Sequence, residues 1–164
     1  MKRAEHLEGL SGLIIPGGES TTIGLLLKEF KLDEAIREAH TDGMAIMGTC
    51  AGLILLAKTI ESSDQPRLGL MDITVKRNAF GRQVQSFEAD LEIPELGADT
   101  VRGVFIRAPY ISEVGSGVHV MCSFRDKIVL ARQGRLVGAA FHPELIGETR
   151  LHRYFVELAS GSKR

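Results

Sequence analysis

The sequence has little that would direct its chain to a nucleic acid, a membrane or an oxidising compartment. Of 164 residues, 20 are Lys or Arg and 21 are Asp or Glu, a formal charge of -1. The basic residues are scattered rather than gathered in a block, which argues against a polyanion-binding surface. No apolar run approaches the ~18 residues of a membrane span, and nothing before the first elements reads as a secretory leader; the expectation is a cytoplasmic protein. Only two cysteines are present, in unrelated surroundings. In a reducing compartment neither needs a partner, so a disulfide is the less expected use. Repeats and low-complexity tracts are missing too. A chain of this length suits one domain, 1–164, that buries roughly 70% of its unfolded surface.

What the sequence does have is the stretch Met44-Ala-Ile-Met-Gly48-Thr49-Cys50-Ala51-Gly52-Leu53, continuing through Leu56. An apolar run of strand length meets Gly-Thr-Cys-Ala-Gly, and an apolar run of helical length follows at once. This is the pattern of a strand, a sharp turn and a helix. A cysteine at such an elbow stands at the C-terminal edge of a sheet with the first helix amides pointing toward it. Those amides and the helix dipole favour the thiolate. The turn is too tight for side chains at Gly48 and Gly52, so both glycines have a steric reason. Cys122 differs: it lies in an alternating strand, Val118 to Phe124.

Taken in order, residues 10–16 read as a short buried strand ended by Pro16-Gly17-Gly18. Ser20, Thr21 and Thr22 offer hydroxyls to cap a helix carrying Ile23, Leu26, Leu27 and Phe30 on one side. A second amphipathic segment runs from Leu32 to His40, and the elbow strand follows. Strands separated by helices imply parallel pairing through right-handed crossovers. After Ala57 a polar loop from Glu61 to Leu68 leads into a β-rich half, with segments at 71–75, 84–93, 101–106, 118–124, 127–132 and 135–141. Arg125-Asp126 and Gln133-Gly134 read as hairpin turns between the last three. An amphipathic helix over 148–158 closes the chain. The fold class is α/β, with antiparallel strands added to a parallel core.

A thiol nucleophile needs a base, and the base needs an orienting acceptor. Five histidines are present, and His142 stands apart from His6, His40, His119 and His152. It ends a strand and precedes Pro143-Glu144, so Pro143 holds it extended and residues 142 and 144 can face the same way. The spacing is also compatible with an ordinary turn. Pro16-Gly17-Gly18-Glu19-Ser20 ends a parallel strand and opens a helix, the edge where ligands of open α/β sheets bind. An amide there and that of Ala51 could stabilise an oxyanion, and Glu19 could receive a substrate ammonium. The stretch is not a phosphate loop, because the Lys-Ser/Thr pair is missing. A carboxylate-bearing substrate would call for a guanidinium fork; spacing does not choose among Arg77, Arg82, Arg102 and Arg107.

Together, residues 16–22, 48–57, 68–75, Arg77-Asn78 with Phe80-Gly81-Arg82, Phe105 to Pro109 and Phe141 to Leu145 resemble the glutaminase subunits of pyridoxal 5'-phosphate synthase. These are a branch of the triad (class I) glutamine amidotransferases. The resemblance covers nearly the whole chain. It implies a flavodoxin-like fold, a mixed, mostly parallel sheet flanked by helices, and hydrolysis of L-glutamine without cofactor or metal. Carried over by residue, it implies Cys50 as nucleophile, His142 as base and then acid, and Glu144 as the carboxylate behind His142. Gly18, Glu19, Ser20, Arg77, Ile106 and Arg107 would bind glutamine, and Gly18 and Ala51 would form the oxyanion hole. The ammonia would pass to a separate synthase (lyase) subunit in a hetero-oligomeric complex.

One departure accompanies the likeness. Members of the family begin with a strand and helix, including a Gly-Val-Leu-x-Leu-Gln-Gly type run, ahead of the stretch matching residues 5–9. Their absence here, about 30 residues or one βα unit, predicts an exposed apolar strand edge and exposed helix faces. Two other readings remain open at this point: a cysteine hydrolase or peptidase on the same framework, and a non-catalytic subunit that only binds a partner.

Overall fold

The computed structural model describes residues 3–78 and 86–161. Phe80, Gly81, Arg82 and the start of the 84–93 segment lie outside the described residues. In chain order the elements are a 3-10 turn at Ala4–Leu7, β1 (Gly12–Ile15), α1 (Ser20–Glu29), α2 (Leu32–Thr41), β2 (Ala45–Thr49), α3 (Ala51–Leu56) and β3 (Ala57–Ile60). They continue with β4 (Met71–Lys76), β5 (Ser86–Leu91), β6 (Val101–Ile106), β7 (Tyr110–Val114), β8 (His119–Phe124), β9 (Lys127–Gln133), β10 (Leu136–Ala139) and α4 (Arg150–Ser160). Further 3-10 turns lie at Pro94–Leu96 and Pro143–Ile146.

The main sheet runs in the spatial order β1, β2, β10, β9, β7, β4, β3, with β8 branching from β9. Where it carries the elbow it is parallel: β2 pairs β1 on one side and β10 on the other. Beyond β10 the pairing turns antiparallel, through β9 and β7 to β4, and β3 rejoins β4 in parallel at the far edge. β5 and β6 form a separate antiparallel ribbon. Its Phe87 and Phe105 stack with Phe124 of β8, and Phe105 also meets Phe141. The ribbon therefore shares the core of the main sheet. One hydrophobic cluster extends from Leu7 to Phe155 through all of these layers.

Every residue of β2 is buried, as expected of a central parallel strand covered on both faces. Gly12, in register with Ala45, faces Phe155 and Ala159 of α4, whereas Gly48 faces Gly52 and Leu53 of α3. Residues 45 and 48 point to opposite faces of the strand, so α3 and α4 cover the sheet from opposite sides. The close approach of α3 depends on its small residues. A Cβ on Gly48 would strike the Gly52 backbone, and one on Gly52 would strike the Ile15 carbonyl.

Several local expectations change. The apolar run after the elbow is helical through Leu56, as expected, but the chain then enters β3, a strand the sequence did not suggest, without a Gly or Pro to mark the change. β7 also escapes a sequence reading, because only Ile111 of its five residues is buried. Glu19, rather than a hydroxyl, caps α1: its carboxylate accepts from the amides of Thr21 and Thr22 at 3.2 and 2.6 Å. On α1, Ile23 and Leu27 pack against the core, but Leu26 and Phe30 are 46% and 60% exposed. The last helix starts at Arg150, not 148, because the Glu148 carboxylate turns to bind the Arg150 amide and guanidinium. Gln133 pairs with Leu136, so the β9–β10 turn is Gly134-Arg135. Arg125 and Asp126 do form the other hairpin turn, both with positive φ, as a two-residue type I' turn requires. β1 closes the sheet at one edge with Ile14 partly exposed.

Candidate active site

The elbow forms where the parallel strands end. Cys50 follows β2 and precedes α3, with φ 52° and ψ -103°. Its amide donates to Ala139 of β10 at 2.8 Å, and its carbonyl accepts from Ile54 at 3.3 Å, the first turn of α3. The backbone is thus tied to the sheet on one side and the helix on the other. That leaves the thiol to project into a cleft of about 440 Å³, where Sγ approaches the Ile106 carbonyl at 3.9 Å. Cys122 has the opposite environment. It is buried, and desolvation, reinforced by Glu95 and Glu92, pushes its thiol up to about 11, which leaves it protonated and inert.

His142 reaches the same cleft from the far side of β2. The chain leaves β10 at Ala139, and the His142 amide donates to Val104 of β6 at 2.8 Å. With φ -109° and ψ 90° the residue is extended ahead of Pro143. Its ring interacts with the Cys50 sulfur, and its Nδ1 lies 2.8 Å from Glu144 Oε1. The contact with Cys50 is the main reason its pKa rises from 6.5 to about 9; burial opposes that rise, and Glu144 adds to it. Sequence reasoning missed what lies behind the imidazole. Gly17 abuts the ring so closely that a Cβ there would come within 2.5 Å of Cε1. The other described histidine contacts are elsewhere: His40 to the Met44 carbonyl, His119 to Glu95 and His152 to the Glu148 carbonyl.

The glycine loop and two of the arginines complete the walls. Gly18, Glu19, Ser20, Cys50, Ala51, Arg77, Ile106, Arg107 and His142, all expected from the sequence, line one cleft, joined by Ile54 and Asn78. Gly18 has φ 145°, a conformation that favours glycine. The two amide hydrogen bonds that cap α1 hold the Glu19 carboxyl down at about 2, so it stays anionic beside the cleft. Arg102 is drawn off to Glu88 and Asp90 on the β5–β6 ribbon, and Arg82 lies outside the described residues. A larger cavity of about 620 Å³ sits at the opposite ends of β1 and β2, lined among others by Glu5, Glu38, Asp42 and Arg135. None of the expected residues reaches it. Among the described residues no His, Cys, Asp or Glu cluster is arranged to hold a metal, and no helix is long and apolar enough to cross a membrane.

A nucleophile at an elbow, an imidazole with a carboxylate behind it, and a cleft carrying both an anion and guanidinium groups suit attack on the amide of an amino acid. Similarity to known proteins agrees with this chemistry. The sequence matches the SNO glutamine amidotransferase family over residues 1–160. It is 62% identical over 157 residues to a protein named pyridoxal 5'-phosphate synthase subunit PdxT from Pelotomaculum thermopropionicum, covering 96% of this chain and 80% of that one. The protein of the same name from Carboxydothermus hydrogenoformans is 60% identical over 157 residues, 96% of this chain and 82% of its own. A solved crystal structure of a glutamine amidotransferase superposes with a TM-score of 0.93 at 52% identity, covering 98% of this chain and 85% of that one. The chain belongs to the SNO glutamine amidotransferase family.

Proposed function

We propose that this chain hydrolyses L-glutamine to L-glutamate and ammonia, as the glutaminase subunit of a pyridoxal 5'-phosphate synthase, and hands the ammonia to the lyase subunit of that complex. The observation that carries the reading is the meeting of Cys50 with His142 inside the cleft, with Glu144 held to the other side of the imidazole. Family membership supplies the substrate. In this mechanism the Cys50 thiolate attacks the side-chain carbonyl carbon of glutamine, and the developing oxyanion is held by the amides of Gly18 and Ala51. The carbon–nitrogen bond then breaks as His142 gives its proton to the leaving nitrogen, which departs as ammonia. A γ-glutamyl thioester remains on Cys50. His142, now neutral, takes a proton from water, the hydroxide equivalent adds to the thioester, and the sulfur leaves as glutamate forms. Glu144 keeps the imidazole oriented and favours its charged form, as carboxylates do behind catalytic histidines.

Recognition of the amino-acid end falls to charge. Arg77 and Arg107 are suited to the α-carboxylate, and anionic Glu19 to the α-ammonium, with Ser20 and the Ile106 main chain beside them. The test is ammonia release from glutamine in the presence of a purified pyridoxal 5'-phosphate synthase lyase subunit. Cys50→Ala is expected to abolish release while circular dichroism stays unchanged. Release that survives the substitution sinks the assignment of Cys50. Turnover of peptides in preference to glutamine would point instead to a hydrolase, and a complex that forms without turnover or labelling of Cys50 would point to a binding subunit.

A further inference from the structure

The loop between β3 and β4 carries no residue that the sequence marked for chemistry, yet it sends a buried amide between two walls of the cleft. Gln65 is 8% exposed. Its Oε1 accepts from Arg77 Nη1 at 2.7 Å, from Thr21 Oγ1 at 3.3 Å and from Ser20 Oγ at 3.4 Å. A guanidinium only donates, so the oxygen rather than the nitrogen of the amide must face this group. Arg77 stands just after β4, and Ser20 and Thr21 open α1. One acceptor therefore ties the start of a helix to the end of a strand. We infer that Gln65 is a positioning residue for glutamine binding, acting through Arg77 and Ser20. The inference rests on the glutaminase reading above and assigns a role beyond it.

The anchor itself is held firmly. Arg37 of α2 donates to the carbonyls of Leu68 and Arg67, each at 3.0 Å. Arg67 donates to the carbonyls of Lys58 and Gln65 at 2.9 and 3.1 Å, and the Leu68 amide to Leu55 at 2.8 Å. Gly24 of α1 lies so close to the Pro66 carbonyl that no Cβ fits between them. Helices α1, α2 and α3 thus all bear on the loop beside Gln65. Its other end points the same way: among the described residues Nε2 is buried without a partner, an arrangement that disfavours the folded state and that a smaller residue would avoid. Arg77 is exposed on its strand end, and a guanidinium there samples many rotamers unless tethered. With Nη1 occupied by Gln65 and by Thr21 at 3.4 Å, the remaining N–H groups are pre-aimed for a carboxylate fork.

Such a role acts on substrate capture more than on bond breaking. Steady-state ammonia release is measured with the lyase subunit present for the unsubstituted chain, Gln65→Met and Gln65→Glu. Met fills a similar volume without the acceptor, and is expected to raise the KM for glutamine about tenfold or more with kcat changed less than about threefold. Glu keeps an acceptor for all three donors, and its KM should stay within about threefold of the unsubstituted value. Alkylation of Cys50 by iodoacetamide, which has no amino-acid end to bind, should proceed at one rate in all three. An unchanged KM in Gln65→Met overturns the inference, and so does a loss in which kcat and alkylation fall together with affinity. Where Gln65→Met loses cooperative melting, Gln65→Ser, whose hydroxyl is too short to reach the three donors, carries the same expectation. Absence of ammonia release from the unsubstituted complex is a separate result, which overturns the glutaminase reading and this inference with it.

Discussion

Cys50 adopts a backbone conformation rarely seen for an L residue other than in turns, and the strain is held by hydrogen bonds on both sides of it. His142 is constrained differently, by crowding from Gly17 and by the Glu144 carboxylate. Gly17→Ala should push the imidazole away from the sulfur. We expect kcat for ammonia release to fall roughly 10- to 100-fold with the fold retained, since small displacements of reacting groups carry large rate effects; turnover assays with circular dichroism check it. The proton on His142 gives a second prediction. Its folded pKa, about 9, lies above the ordinary 6.5, so the associated stability is fully present below about pH 6.5 and is lost as pH rises through about 9. Melting temperature should therefore drop more between those values in the unsubstituted chain than in His142→Gln. In Cys50→Ala, an NMR titration of the imidazole should move down from about 9, because the sulfur is the main cause of the rise.

At the scale of elements, the elbow depends on how closely α3 can lie on β1 and β2. Gly52→Ala would drive a methyl group into the Ile15 carbonyl, a backbone atom that a side-chain rotation cannot move. The expected cost is about 1–3 kcal/mol from overpacking, read as a lower urea midpoint. Gly117→Ala is the control. Its Cβ would meet only Gln133 Nε2, at 3.6 Å, and stability should change by less than about 0.5 kcal/mol. The same scale explains where periodicity misled. Leu26 and Phe30 have the spacing of a core face but are exposed, because α1 turns Gly24 toward the Pro66 carbonyl and so presents a different side to the protein. A helix face chosen by one glycine is not visible in a hydrophobic pattern that includes four larger residues.

Across the whole molecule, the parallel and antiparallel halves share one core, and the β5–β6 ribbon is joined to it through Phe105 and Phe141. We propose that residues 1–164 fold as one domain. Calorimetry should show a single transition with matching calorimetric and van't Hoff enthalpies; two separable transitions would divide the chain. By itself the sequence determined the elbow, the parallel pairing of the strands around it, the extended His142 ahead of Pro143, and the glycine turn that opens α1 at the same sheet edge. These are local facts, set by apolar periodicity, by glycines where no Cβ fits and by a proline that restricts its neighbour. Tertiary structure alone decided that Glu19 caps a helix while facing the cleft, that Arg102 is held on the β5–β6 ribbon, that Gly17 backs the imidazole, and that Gln65 gathers three donors. Each of those depends on segments far apart in the chain meeting across a packed interior, and a contact of that kind leaves no period or spacing in the sequence that makes it.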